Sequence, residues 1–327
     1  MIPEKKIWGE LPMGQTASLY TFTNSKGMSV SVSDYGGVIQ SIIIPDKNGV
    51  PADIVLGYDT PMEYANDPSN YFGAMVGRYA NRISGSKFSI DGVEYNLTVN
   101  DGPNCLHGGG TISHELWDAQ IGCHGLTLRN YSPDGADGFP GTMKTTVNVD
   151  FNDDGVLTLE YIATCDKDCY VNLTNHAYFN LAGKGDILRH EVMINSDKIT
   201  ETDDALIPTG KFLPVEGTIY DFRSPKAVGE AVYDDNFVLS SDEICAKVYD
   251  PESGRRMTVT TDLPGVQLYT ASMLGETKGK GGATYGKGSG LCLETQYFAD
   301  TPNRPEFPSC LIKKGDVFHS VTKFRFE

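Results

Sequence analysis

The chain has 327 residues, 39% of them hydrophobic, enough to bury a sizeable core. Its formal net charge is −16 with no basic stripe, which excludes nucleic acid and anionic membranes as partners and disfavours a strongly anionic substrate unless a local basic pocket exists. No run approaches the ~18 apolar residues of a membrane-crossing helix. The seven cysteines are scattered, odd in number and free of Cys-x-x-Cys, which fits reduced thiols better than a disulfide framework.

The N-terminal residues Met1 to Trp8 carry charges with no apolar stretch behind them. No signal peptide is expected, and the expected setting is cytoplasmic. The glycosylation-like triplets at Asn96 and Asn172 then carry no weight.

Along the chain, alternation dominates. Met28, Val30 and Val32 predict a strand that turns at Asp34 to Gly37. Val38 to Pro45 is apolar and β-branched and ends on the turn signal Asp46 to Gly49, and Ile54 to Leu56 reads as a short strand. Phe88 to Leu97 is a hairpin around Asp91-Gly92, and Val147 to Tyr161 is another around Asn152 to Gly155. Further strands are predicted at 191–195, 237–240, 244–250, 256–261, 266–271, 290–296 and 316–326. Short helical turns are predicted near Pro61–Tyr64, Ser113–Leu116 and Lys226–Val228. Many short strands between turn signals, with 36 Gly and 17 Pro, predict an all-β chain. The expected architecture is a large antiparallel β-sandwich or barrel with few short helices, in one domain over 1–327.

Three motifs fail on inspection. Asp150 to Gly155 begins like a calcium loop, but its twelfth position is Tyr161 and its flanks alternate as strands. Gly281 to Lys287 resembles a phosphate loop, but Gly288 stands where Ser or Thr is needed, so 275–290 reads as a flexible surface loop. The six histidines (107, 114, 124, 176, 190, 319) make no His-x-x-x-His, and Cys165 and Cys169 lack a matching pair, so no metal site is expected.

Five stretches combine polar side chains with glycines and strand ends. Asn172 to Gly183 holds His176 between Asn175 and Asn180, beside Tyr178 and Phe179. Such a group at a strand end suits a polar-ligand pocket, but taken alone a buried, hydrogen-bonded structural histidine is the commoner reading. Asn81 and Arg82 can bind hydroxyls or pair with one of the 43 acids. His107 precedes three glycines that let backbone approach a ligand. Asp234 and Asp235 stand before a strand, where turn chemistry is the alternative. Glu294 lies inside an apolar strand, beside a stretch that contains Gln267. Burial there raises a carboxyl pKa, which suits a general base, although a structural ion pair would also satisfy it.

The set Gly77-Arg-Tyr-Ala-Asn-Arg-Ile83, Leu106-His-Gly-Gly109, Thr174-Asn-His-Ala-Tyr-Phe-Asn-Leu181, Pro264-Gly-Val-Gln-Leu-Tyr269 and Leu293-Glu-Thr-Gln296 occurs in this order. It resembles the aldose 1-epimerase (galactose mutarotase) family over essentially the whole chain. The resemblance implies a single large β-sandwich of the galactose mutarotase type and a free aldohexose, such as galactose or glucose, as substrate. It implies no cofactor; a monomer or homodimer is the expected working form. It implies Glu294 as base, His176 as acid, and Asn81, Arg82, His107, Asp234 and Gln267 on sugar oxygens. The family's Asp-His-x-Phe reads Asp234-Asp235-Asn236-Phe237 here. Anomer exchange needs one group to take the anomeric proton and one to protonate the ring oxygen, so His176 is expected to titrate near neutrality. The alternatives are an epimerase of hexose 6-phosphates, which needs a basic pocket, and a sugar-binding module without catalysis.

Overall fold

The computed structural model describes residues 1–123, 125–240 and 244–327. His124, one of the six histidines weighed above, lies outside the described residues.

Three antiparallel sheets carry the architecture. The first is a meander of Glu4–Glu10, Thr16–Thr23, Ser29–Ser33, Ile39–Pro45 and Pro51–Asp53. The second has nine strands: Asp118–Gly122, Gly125–Ser132, Met143–Phe151 and Val156–Cys165 run in chain order, then Val317–Phe326, Arg256–Thr261, Ala246–Tyr249, Glu191–Ile194 and Lys226–Ala227 follow. The third lines up Pro208–Pro214, Lys198–Thr202, Asp234–Val238, Gly265–Tyr269 and Cys292–Gln296. One apolar cluster joins all three, drawing Tyr20, Phe22 and Val30 from the first, Val147, Leu157 and Phe324 from the second, and Val266, Leu268 and Leu293 from the third. The protein is an all-β sandwich, as its alternation predicts.

Both predicted hairpins form. Lys87–Ile90 pairs with Val93–Asn96 through Asp91 and Gly92, whose φ angles of 50° and 82° are those of a tight two-residue turn. Met143–Phe151 pairs with Val156–Cys165. In its turn the Asn152 side chain accepts from the N–H of Asp154 and of Val156. Asp150 takes the N-terminal ammonium and Asp153 the N–H of Ser25, so the calcium-like residues are committed to closing the fold. The helix Pro61–Asn66 is capped as its sequence suggests, with Thr60 and Glu63 bonding each other's backbone N–H.

Some expectations give way. Lys226–Ala227 is a strand, not a helical turn, because it pairs with Glu191 and Val192 at the sheet edge. Pairing falls on Pro51–Asp53 rather than on Ile54 to Leu56, where Val55 makes only a lone bridge to Phe179. The segment 275–290 contains the small hairpin Thr277–Lys278 with Thr284–Tyr285. Lys280 ties it down by reaching Asp53 at 2.6 Å and the Gln40 carbonyl at 2.7 Å. The strands Glu4–Glu10, Lys198–Thr202 and Pro208–Pro214 lack apolar alternation because they sit at or beside sheet edges, with one face in solvent.

Candidate active site

The third sheet sets most of the site. Every residue of Gly265–Tyr269 and Cys292–Gln296 is buried, so both faces of these strands are covered. Side chains alternate between faces. Val266, Leu268 and Leu293 enter the apolar core. Cross-strand register places Asn236, Gln267 and Glu294 in one row and Asp234, Tyr269 and Cys292 in the next, both rows on the face opposite the core. Asp235 aligns with Leu268 and Leu293 and so points away from this row. Its carboxyl is pushed up to about 6 by burial and hydrogen-bonds Tyr220. The departure from the family pattern therefore falls on the far face.

A second wall comes from the loops that join the sheets. Arg82–Ile83 pairs with Cys105–Leu106, which brings Asn81 and His107 together. His107 N–H donates to the Asn81 carbonyl at 3.1 Å, and Asn81 N–H donates to His107 Nδ1 at 3.2 Å. Gly108 has φ of 64°, and a Cβ there would lie 2.5 Å from the Gly77 carbonyl oxygen. Only glycine permits this approach. The third wall is the stretch that carries His176, anchored by Thr174–Asn175 on Met75–Val76. Asn175 and Asn180 do not enter the cavity; their amides satisfy backbone groups at Gly73, Ala74 and Ala177, and at Gly185 and Ser289.

These walls enclose a cavity of about 260 Å³. Of the seven residues picked from the sequence, Asn81, Arg82, His107, His176, Asp234 and Glu294 line it. Gln267 does not. Its amide is spent beneath the floor, donating to Asp234 Oδ1 at 2.7 Å and accepting from Gln296 at 3.2 Å. Gln296 in turn accepts from Asn81 at 3.5 Å, so a chain of amides links the two walls. Tyr71, Tyr178, Tyr269 and Asp101 also line the cavity and escaped the sequence reading. Tyr178 and Tyr269 stood inside the quoted motifs, but nothing local distinguishes a wall tyrosine from a core one.

One close pair and one charge triad define the chemistry. His176 Nε2 stands 3.6 Å from Glu294 Oε1, with both side chains buried. Arg82 lies between two carboxylates, 2.8 Å from Asp101 and 3.8 Å from Asp234. Burial, reinforced by the nearby Asp234 charge and opposed by Arg82, pushes Glu294 up to about 8. Burial alone draws His176 down to about 4. The expectation that His176 titrates near neutrality is therefore corrected. Its ring is packed among Tyr71, Tyr178 and Tyr269 and has little water to stabilise a cation. His107 is held well below the usual range by burial and by the neighbouring His176 and Arg82 charges. At neutral pH the pair at the cavity floor shares one proton, and the geometry suits it to give and take protons at two atoms of a bound molecule.

The fold brings together what the chain spacing keeps apart. The ligating atoms of His107, His176 and Glu294 lie within 4.8 Å of one another, the one such cluster among the described residues. The donor set nevertheless does not suit a metal. His107 Nδ1 already accepts the Asn81 N–H, so Nε2 carries the proton and acts as a donor.

Comparison with known proteins identifies the family. The family model described as aldose 1-epimerase matches residues 18–325. The chain is 42% identical to galactose mutarotase of Mus musculus over 98% of both chains. It is 34% identical to aldose 1-epimerase of Escherichia coli strain K12 over 96% of both. The crystal structure of an aldose epimerase homologue from C. elegans superposes with a TM-score of 0.91 at 31% identity, covering 95% of this chain and 99% of that one. The chain belongs to the aldose 1-epimerase family and is an enzyme of the epimerase class.

Proposed function

We propose that the protein interconverts the α and β anomers of a free aldohexose, such as galactose or glucose, with Glu294 and His176 as its proton-transfer pair. The observation that carries this reading is the 3.6 Å approach of His176 Nε2 to Glu294 Oε1 inside a polar cavity. In the working form the single shared proton resides on His176. Glu294 takes the anomeric hydroxyl proton while the imidazolium protonates the ring oxygen, and the ring opens to the aldehyde. Rotation about C1–C2 presents the other carbonyl face, and the same two groups return the protons on closure. Each transfer contributes about 10²–10⁴-fold. Arg82, the His107 Nε2–H, Asn81 and Asp234 bind the remaining hydroxyls. Gln267 supports them by orienting Asp234, a revision of the direct contact that the resemblance implies.

The cavity favours a neutral sugar over a hexose 6-phosphate. Among its described lining residues Arg82 is the only Lys or Arg, and Asp101 and Asp234 already neutralise it. A second phosphate charge would meet a net acidic wall. The chain is taken to work as one domain, in line with a core cluster that runs from Tyr20 to Phe326. It acts as a monomer or homodimer in the cytoplasm, a setting in which its seven unpaired cysteines stay reduced.

Polarimetry tests the reading. Fresh α-anomers of galactose, glucose and one hexose 6-phosphate are each followed with and without protein. Accelerated decay of rotation for a free hexose is the expected result. No acceleration with any free aldose defeats the reading, and a preference for the phosphorylated sugar reverses the substrate assignment.

A further inference from the structure

We propose that Cys292 is a positioning residue for His176: its sulfur accepts the Nδ1–H of the imidazole and so holds Nε2 toward Glu294. This rests on the assignment of His176 and Glu294 as the proton-transfer pair.

Cys292 and Glu294 are two residues apart on one strand and share its site-facing side. Cys292 has no exposed surface, and its Sγ lies 3.5 Å from His176 Nδ1. Nε2 faces the Glu294 carboxyl at 3.6 Å. When the shared proton sits on that carboxyl, Nε2 is its acceptor and Nδ1 carries the proton of the neutral ring; in the imidazolium Nδ1 carries a proton as well. The sulfur is the acceptor, and Nε2 is left with its lone pair facing Glu294. Burial and the nearby Glu294 and Asp234 charges hold the Cys292 thiol well above its usual range, so it remains S–H and adds no charge.

The weakness of sulfur as an acceptor has a consequence. The groups facing His176 are Glu294, His107, Cys292 and the tyrosines 71, 178 and 269. Of these only Glu294 can supply a negative charge near neutral pH. A carboxylate against Nδ1 would stabilise the imidazolium and make it a poor acid. A thiol orients the ring while leaving the imidazolium acidic enough to protonate a ring oxygen.

Three variants and one spectrum test this. In Cys292→Ala, kcat falls about 3- to 10-fold with KM held, because the ring loses its orientation but the sugar contacts remain. Cys292→Val fills the same space without an acceptor and behaves like the alanine variant. Cys292→Ser restores kcat to within about twofold and moves the acid limb of the pH profile upward, since a hydroxyl oxygen is the stronger acceptor. ¹⁵N spectra of histidine-labelled wild-type protein show His176 as the Nδ1–H tautomer. Unchanged kcat and acid limb in folded Ala and Val variants overturn the proposal, as does an Nε2–H tautomer. If the wild type accelerates no aldose, the catalytic reading fails by that result alone, and the spectrum still decides the hydrogen bond.

Discussion

His176 Nε2 and Glu294 Oε1 face each other across 3.6 Å, and burial shifts the two groups in opposite directions. The carboxyl holds its proton up to about 8, and the imidazole sheds its own down to about 4. The resting pair is thus a neutral acid beside a neutral base. Moving one proton between them produces the carboxylate and imidazolium that the proposed ring opening uses. The two forms hold the same total number of protons, so the pair titrates as a unit.

Glu294→Gln removes the proposed base and keeps the shape. Turnover should fall about 10²–10⁴-fold while sugar affinity stays within a few-fold, read by polarimetry and by calorimetric titration. Stability should change too. A carboxyl whose pKa is raised by folding favours the fold below its ordinary range and loses that contribution as pH rises toward 8. The glutamine variant should therefore gain Tm over wild type at about pH 9 and not at about pH 4. Full activity in this variant rejects the base assignment.

The pH profile follows from the same pair. Below about 4 both groups are protonated and no base is present; above about 8 both are deprotonated and no acid is present. The profile of kcat/KM should be a bell with limbs near these values. A single limb near the ordinary histidine range, with no loss near 8, would show that burial does not set the protonation of the pair.

Arg82 and Asp234 push Glu294 in opposite directions. Arg82→Ala should move the alkaline limb to higher pH, because the carboxylate loses a stabilising cation. Asp234→Asn should move it to lower pH, because the carboxylate loses a repelling anion. Arg82→Ala should also raise KM about 10- to 100-fold, the value of a charge-assisted hydrogen bond to a hydroxyl. Unaltered KM and kcat would make Arg82 purely structural.

Arg78, four residues before Arg82, has a different task. The residue is 2% exposed. It donates to Ser132 Oγ and to the carbonyls of Ser132, Pro133, Pro140 and Gly141, at 2.7 to 3.1 Å. Arg78→Met leaves those carbonyls unpaired and should cost about 3–5 kcal/mol in denaturant unfolding, with KM of the folded fraction unchanged. A loss under about 1 kcal/mol would mean that the loop reorganises around the methionine.

Much of this was readable along the chain. Period-2 alternation at Val147 to Tyr161 and the Asp91-Gly92 turn identify their hairpins, because these signals are local. Six of the seven residues picked from the sequence line one cavity. The motif around Gln267 reveals the strand face but not that its amide bonds Asp234 and Gln296. Tyr71 and Asp101 were invisible, since each enters through a loop whose path the rest of the fold decides. The edge strand Glu4–Glu10 was missed because hydrogen bonds to Thr16–Thr23, rather than an apolar face, hold it.

The sequence by itself determined the class of fold, the order of the motifs and the chemical types available: one buried carboxyl, a histidine between amides, and an Asn–Arg pair. Only the tertiary structure decided which of them meet and in what protonation state. Distances such as that from Asn81 to Gln296 span 215 residues of chain, so no local pattern encodes them. A pKa depends on how much water and charge surround a group, and those neighbours exist only once the sheets have packed.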